Sequence, residues 1–232
     1  MTREKTANND MRIFLRLFIV ILFGASLFMV AKSGSEQWQR YQTAPPFDPQ
    51  WVRLSPLELA TLPLATYWTM PMGSEHGALT YNAQPFRVTR HLGDDLNGIG
   101  GNNSDLGDTV YAAATGVVVY NGVPGPGWGK VIIMAHQITD QTSGKPEMVQ
   151  SMYAHLQTSE VTMGAVIKRG TRIGTVGTAE GKYLAHLHFE IRKGPYVNPS
   201  MGYADAPLNR ISPEKFIAER NDLQPAPGQR TE

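Results

Sequence analysis

Residues 186–192 read His-Leu-His-Phe-Glu-Ile-Arg, polar and apolar in strict alternation, and among regular structures only a strand has a period of two. On that strand His186, His188, Glu190 and Arg192 share one face, while Leu187, Phe189 and Ile191 point into a core. The surrounding chain agrees with this reading. From about Tyr67 onward it is rich in Gly, Pro and aromatic residues with short β-branched runs, and no long 3.6-residue periodicity appears. Strands are expected at 109–120, 129–136, 148–156, 171–176 and 185–192, so the body is mainly β. Alternating Gly and Pro over 122–127 interrupt pairing, and the polar stretch 138–146 joins two neighbouring strands as an irregular hairpin.

Two imidazoles on one strand face are placed to share a metal or a substrate. A second cluster, His91-Leu-Gly-Asp-Asp95, contains a glycine at position 93 that lets the chain turn tightly enough to bring a histidine and a carboxylate together. Zinc accepts imidazole nitrogen and carboxylate oxygen, so a His, an Asp and a distant His complete a three-ligand site with a fourth position open. Spacing alone leaves Asp94 and Asp95 as alternatives for the carboxylate. The third element is Tyr153-Ala-His155-Leu, at the end of an expected strand, with Tyr153 and His155 on one face and Ala154 and Leu156 on the other. Trp128, Tyr153 and Tyr183 are candidates to line a groove, Tyr153 as a substrate contact. His136 ends an apolar strand and is read as structural or as an outer hydrogen-bond partner of a ligand; Glu190 is read as a solvated strand residue, and His76 is assigned no role.

Composition removes several alternatives. Cysteine is absent, which excludes disulfides, thiolate catalysis and Cys-based metal sites, so any metal must be held by His, Asp or Glu. The formal charge is +1 with acidic and basic residues nearly balanced, a distribution that offers no basic face for nucleic acid.

The 232 residues divide by texture. Residues 1–12 form a basic N-terminal segment, and 13–31 read as a transmembrane anchor or signal segment. Arg3, Lys5, Arg12 and Arg16 precede an apolar run that starts at Leu17 and is broken only by Gly24 and Ser26. No small-x-small cleavage site stands out near Ala31, and Lys32 follows at once, which favours an uncleaved anchor. The basic flank stays cytoplasmic, so the rest of the chain is expected outside the membrane, in the cell envelope. Residues 32–66 are a polar tether, with Pro45 and Pro46, followed by an apolar lead-in that holds at most a short helix between Pro56 and Leu62 and lies against the next domain. That domain spans 67–211. Residues 212–232 hold a short helix capped by Ser212, with Pro213 at its first position, and a frayed tail from 224.

Taken in order, His91 and Asp95, then Tyr153-Ala-His155-Leu, then His186-Leu-His188 resemble the lysostaphin-like M23 family of zinc metallopeptidases, which are peptidoglycan endopeptidases. The likeness covers roughly residues 73–199. It is supported by Gly107-Asp-Thr-Val-Tyr-Ala-Ala-Ala-Thr-Gly116, Gly127-Trp-Gly-Lys-Val-Ile-Ile-Met-Ala-His136 and Gly174-Thr-Val-Gly-Thr178. The resemblance implies an antiparallel β-sheet domain with its site in a groove of the sheet and Zn2+ as cofactor. It also implies His91, Asp95 and His188 as metal ligands, His155 and His186 as the catalytic pair, and peptide bonds of peptidoglycan as substrate. It selects Asp95 over Asp94. The chain departs from the pattern in one place, a Gly/Asn-rich insertion at 97–106, which bears on groove shape and substrate choice and leaves every implied ligand in place. A His-Glu-x-x-His helix motif is absent. Two other functions compete: a non-catalytic or latent groove-binding module that regulates a wall-hydrolase partner, and a metallopeptidase acting on secreted proteins. Retention of all three ligands and both histidines weighs against the non-catalytic module.

Overall fold

The computed structural model describes residues 18–19, 22–26, 28–29, 32, 53–73, 79–199 and 201–221. The basic residues before position 17, the tether at 33–50, His76 and the tail from 224 lie outside the described residues. Within residues 1–44, those described are helical, and Phe18, Leu22, Phe23, Phe28 and Met29 are exposed. Among the described residues no helix is long and apolar enough to cross a membrane. The expected anchor at 13–31 falls in part on residues outside the described set.

The body from residue 53 holds two short helices, α1 (Pro56–Ala60) and α2 (Pro213–Ala218), and strands that all pair antiparallel. The strands are β1 (Thr80–Gln84), β2 (Asp94–Gly98), β3 (Thr109–Tyr111), β4 (Gly116–Gly122), β5 (Lys130–Thr139), β6 (Pro146–Ser159), β7 (Val166–Ile167), β8 (Arg172–Val176), β9 (Leu187–Lys193) and β10 (Arg210–Ile211). They form a 10-stranded sheet in the order β1-β2-β9-β6-β5-β4-β7, with β10 beside β9 and β8 joining β6 to β3.

The strand expected at 109–120 is two strands. Between them Ala112 and Ala113 make no strand-ladder bond: Ala112 N–H donates to the Thr171 carbonyl of a loop at 2.9 Å, and Ala113 N–H to the side-chain hydroxyl of Tyr153 at 2.8 Å. β2 lies where a turn was expected, because residues 94–96 find a partner in β9 that is distant in sequence. Both helices start as their sequences require. Ser55 and Glu58 form a reciprocal capping box on α1, and Ser212 caps α2, which has Pro213 in its first turn.

The sheet is covered on both faces. On one face Leu187, Phe189, Ile191, Tyr153 and Val149 pack with Trp68 and with Phe216 and Ile217 of α2. On the other, Met152, Ala154, Ile133 and Trp128 pack with Leu54 and Leu62 of the lead-in and with Val197. Main-chain bonds fasten that lead-in, Leu54 N–H to the Pro195 carbonyl and Ala65 N–H to the Gln137 carbonyl, so it belongs to the fold.

The 14-residue β6 changes partner along its length. It pairs with β9 as far as Ala154 opposite His188, and from Leu156 it pairs with β8. His155 occupies the changeover, with φ at +63° and a register shift on the β5 side as well. The sheet forks at this residue, β9 leaving on one side and β8 on the other.

Candidate functional site

Asp95 on β2 and His188 on β9 are direct cross-strand partners, so the ladder alone puts their side chains side by side, with His188 Nδ1 3.0 Å from Asp95 Oδ1. His91 comes in from the bend before β2. It is held there by a bridge to Tyr203 and by the bond from Leu92 N–H to the Gly202 carbonyl. Its Nε2 lies 3.2 Å from Asp95 Oδ1 and 2.9 Å from His188 Nδ1. Gly93 matters through close approach more than through turning: a Cβ there would sit 2.6 Å from the Phe189 carbonyl oxygen and 2.9 Å from the His188 ring.

The remaining ring nitrogens decide what these contacts mean. His91 Nδ1 faces the Gln84 carbonyl at 3.1 Å, and His188 Nε2 faces the Glu190 carboxylate at 2.9 Å. Both partners only accept, so those nitrogens carry the protons. The opposite nitrogens, His91 Nε2 and His188 Nδ1, converge with a carboxylate oxygen in a buried place, where a proton or a metal cation must lie between them. Three electron-rich atoms so close repel one another unless a cation sits among them. The same demand shows in His188: burial lowers its proton affinity, yet the hydrogen bonds and charges of Asp95 and Glu190 raise its pKa to about 9. Asp95 answers in the opposite sense, since burial raises its pKa but His188 and His91 hold it far below the usual carboxylate range. Two imidazole nitrogens and one carboxylate oxygen are a donor set that zinc accepts, and the residues present therefore fit the metal.

His155 and His186 stand across the fork, ring centroids 4.8 Å apart. His155 Nδ1 donates to the Trp128 carbonyl at 3.1 Å and His186 Nδ1 to the Leu184 carbonyl at 2.8 Å, leaving both Nε2 atoms as lone pairs. His186 Nε2 lies 3.7 Å from Asp95 Oδ1. Burial keeps the His155 pKa well below 6.5 and its ring neutral. Trp128 stacks on His155, and Tyr183 lies beside both His155 and His186.

Several expectations need correction. Glu190 is not solvated: it is fully buried, bonded to His188 Nε2, and its other oxygen accepts from Arg192 Nε at 2.7 Å and Arg210 Nε at 3.0 Å. Burial raises its pKa, but the two guanidinium groups bring it below the normal range. The signal was present in the alternation, which already put Glu190 and Arg192 on the His188 face. Tyr153 is not available to substrate. It is enclosed in the core on Phe189, and its hydroxyl accepts from Ala113 N–H and from the Ser151 hydroxyl. The shared face expected for Tyr153 and His155 fails because the bulge at His155 interrupts the period of two. Of the two readings of His136 the structural one agrees with the fold: it is a core residue, bonded to the Thr115 carbonyl and to Ser151 and lying against Trp68. Asp94 turns away from the cluster and accepts from Phe86 N–H and from Glu214 N–H at the start of α2. Tyr203, 5.1 Å from the His91 ring, went unnoticed because nothing local marks it.

Residues 96–199 match Peptidase family M23. The match includes His155, His186 and His188 and begins just after Asp95, so the joining of His91 and Asp95 to His188 comes from the geometry. Lipoprotein NlpD of Yersinia enterocolitica is 37% identical over 94 residues, 40% of this chain and 87% of the relative. Murein hydrolase activator NlpD of Escherichia coli is 38% identical over 94 residues, with 40% of this chain and 22% of that protein covered. Cell division protein DipM of Caulobacter vibrioides is 31% identical over 102 residues, 44% of this chain and 15% of that protein. The chain thus spans a minor share of the length of the last two. Lysostaphin from Staphylococcus simulans aligns in structure with 20% identity and a TM-score of 0.41, over 73% of this chain and 58% of that one. With one relative matched across most of its length at better than one residue in three, the chain belongs to peptidase family M23.

Proposed function

We propose that this chain is a zinc-dependent endopeptidase that hydrolyses peptide bonds in peptidoglycan, in cross-links or stem peptides. One observation carries the reading: each of His91, His155, His186 and His188 commits one ring nitrogen to a protein oxygen outside the cluster, which leaves the other for chemistry within it. Those of His91, His186 and His188 lie 3.2, 3.7 and 3.0 Å from one carboxylate oxygen, Asp95 Oδ1.

Zinc, which His91, Asp95 and His188 would hold, would supply Lewis acidity, lowering the pKa of water toward about 7 and polarising a carbonyl. The protein's own groups then handle the protons. His155, kept neutral by burial, takes the proton from the attacking water through Nε2 and passes it to the leaving amine, while its Nδ1–H stays on the Trp128 carbonyl. His186, at the more open side of the fork, takes a proton from solvent at Nε2 and through that N–H meets the charge that develops on the carbonyl oxygen, its Nδ1–H staying on the Leu184 carbonyl. Trp128 and Tyr183 form walls that limit water around His155. The exposed apolar side chains of the N-terminal helical residues support a membrane anchor that holds the domain in the cell envelope, facing its polymeric substrate.

A second reading is favoured by the likeness to a protein called a murein hydrolase activator: the groove binds and regulates a wall-hydrolase partner. The experiment that separates the two is release of soluble peptides from purified peptidoglycan by the full chain, with zinc, with a chelator, and as His188→Ala. Release that both chelation and the substitution abolish supports the endopeptidase. Zinc bound without release from any wall preparation, with stimulation of an added hydrolase, supports the activator.

A further inference from the structure

The ladder that organises the site stops one residue short of His186. β2 follows β9 only to Leu96 opposite Leu187, and on its other side His186 has a bridge to Gly177 whose N···O distance is 3.4 Å. Yet the residue before it is held at both of its backbone polar groups. Ala185 N–H donates to Asn103 Oδ1 at 2.8 Å, and the Ala185 carbonyl accepts from Asn97 Nδ2 at 3.1 Å. Both asparagines belong to the 97–106 segment in which this chain departs from the family pattern.

The Asn97 amide is itself aimed. Its Nδ2 also donates to Asp105 Oδ2 at 3.2 Å, and Asp105 is buried with its other oxygen accepting from the Ser104 hydroxyl. An amide nitrogen has two hydrogens, and here each has its own acceptor, so the group cannot flip without losing both bonds. Position 98 is glycine where a Cβ would lie 2.6 Å from Asp105 Oδ1, which lets the carboxylate lie flat on the end of β2.

We propose that Asn97 and Asn103, with Asp105 orienting the first, are positioning residues for His186. Their side chains continue the β2 ladder past its end and fix the backbone from which the imidazole projects into the fork. The proposal rests on the reading of His186 as a catalytic residue. It gives the insertion a role beyond groove shape, because loosening Ala185 moves the His186 ring relative to His155 while leaving the paired Asp95 and His188 where they are.

The two asparagines act with opposite polarity, and that makes the test specific. Position 103 needs an acceptor, so Asn103→Asp keeps the contact and Asn103→Leu removes it. Position 97 needs a donor, so Asn97→Asp removes the contact and sets a second carboxylate against Asp105. In the zinc-loaded full chain, Asn103→Leu and Asn97→Asp lower kcat for peptide release about 100-fold with zinc content and KM unchanged, whereas Asn103→Asp stays close to the parent. Amide hydrogen exchange at Ala185 and the 15N signals of the His186 ring read the same clamp without catalysis. Exchange accelerates and the ring signals shift in Asn103→Leu and not in Asn103→Asp. An inactive parent that shows this pattern sinks the endopeptidase reading and supports the clamp. Unchanged Ala185 protection in Asn103→Leu overturns the clamp, as does a loss of kcat equal in Asn103→Asp and Asn103→Leu. If Asn97→Asp does not fold, the pair at position 103, on the exposed loop, decides alone.

Discussion

The two halves of the site are held in different ways. Asp95 and His188 face each other across a β2–β9 ladder whose register leaves them no choice, and Glu190, in the same row, fastens the far side of the His188 ring. His155 and His186 stand where pairing fails, one at a positive-φ bulge and one just outside the end of β9. The ladder half gathers lone pairs and a buried negative charge, as suits holding a cation. The fork half leaves imidazoles beside it with one ring nitrogen not committed to the backbone, as suits moving protons. Continuous pairing gives rigidity but spends every backbone group on itself; a break re-aims side chains, and the bulge backbone costs on the order of 1–3 kcal/mol that the surrounding sheet must offset.

That contrast predicts how each half fails. Asp95→Ala, in the ladder half, is expected to lose bound zinc together with all measurable peptide release, read by metal analysis beside the peptidoglycan assay. His155→Gln, in the fork half, is expected to lower kcat about 10²- to 10⁴-fold while zinc stays stoichiometric; zinc lost in parallel with activity would erase the division between the halves.

A pH effect on the core face provides a control away from the site. Burial lowers the His136 pKa to about 4 from its ordinary 6.5. Above pH 6.5 the ring is neutral in both folded and unfolded chains. As pH falls from 6.5 to about 4 only the unfolded chain gains the proton, so native stability drops, by about 3 kcal/mol in all. Denaturant titrations across that window should show a shallower decline in His136→Gln. Glu190→Gln weakens the grip on the His188 ring and is expected to lower zinc affinity about 10- to 100-fold in a chelator competition, with a smaller change in kcat at saturating zinc. The mildest effect is expected at Tyr153→Phe, which leaves Ala113 N–H unpaired and costs about 1–3 kcal/mol of stability. Its kcat/KM should match the parent; a loss of substrate affinity would restore Tyr153 to the groove.

Much of the site could be read from the chain because its motifs are local. The alternation at 186–192 gave the orientation of His188 and of the core-facing Phe189, and Pro56 and the cap residue Ser212 marked two short helices that the structure contains. What misled was the same local logic carried past its range. At Tyr153 and His155 the period of two was assumed to continue, but the changeover of β6 from β9 to β8 turns the chain between them. At Glu190 exposure was assumed for a charged residue, but Arg192 and Arg210, the second on a strand 20 residues away, compensate its charge.

The sequence by itself determined which chemistry was on offer: without cysteine, a metal site here has only imidazoles and carboxylates to draw on, and period-two patterning set them on strands. Only the tertiary structure decided which of them meet and in what protonation pattern. The register that sets Asp95 opposite His188, the fork that turns out His155 and the Trp128 carbonyl that fixes the His155 tautomer all involve partners far apart in the chain, and a local pattern contains no information about a partner it does not include.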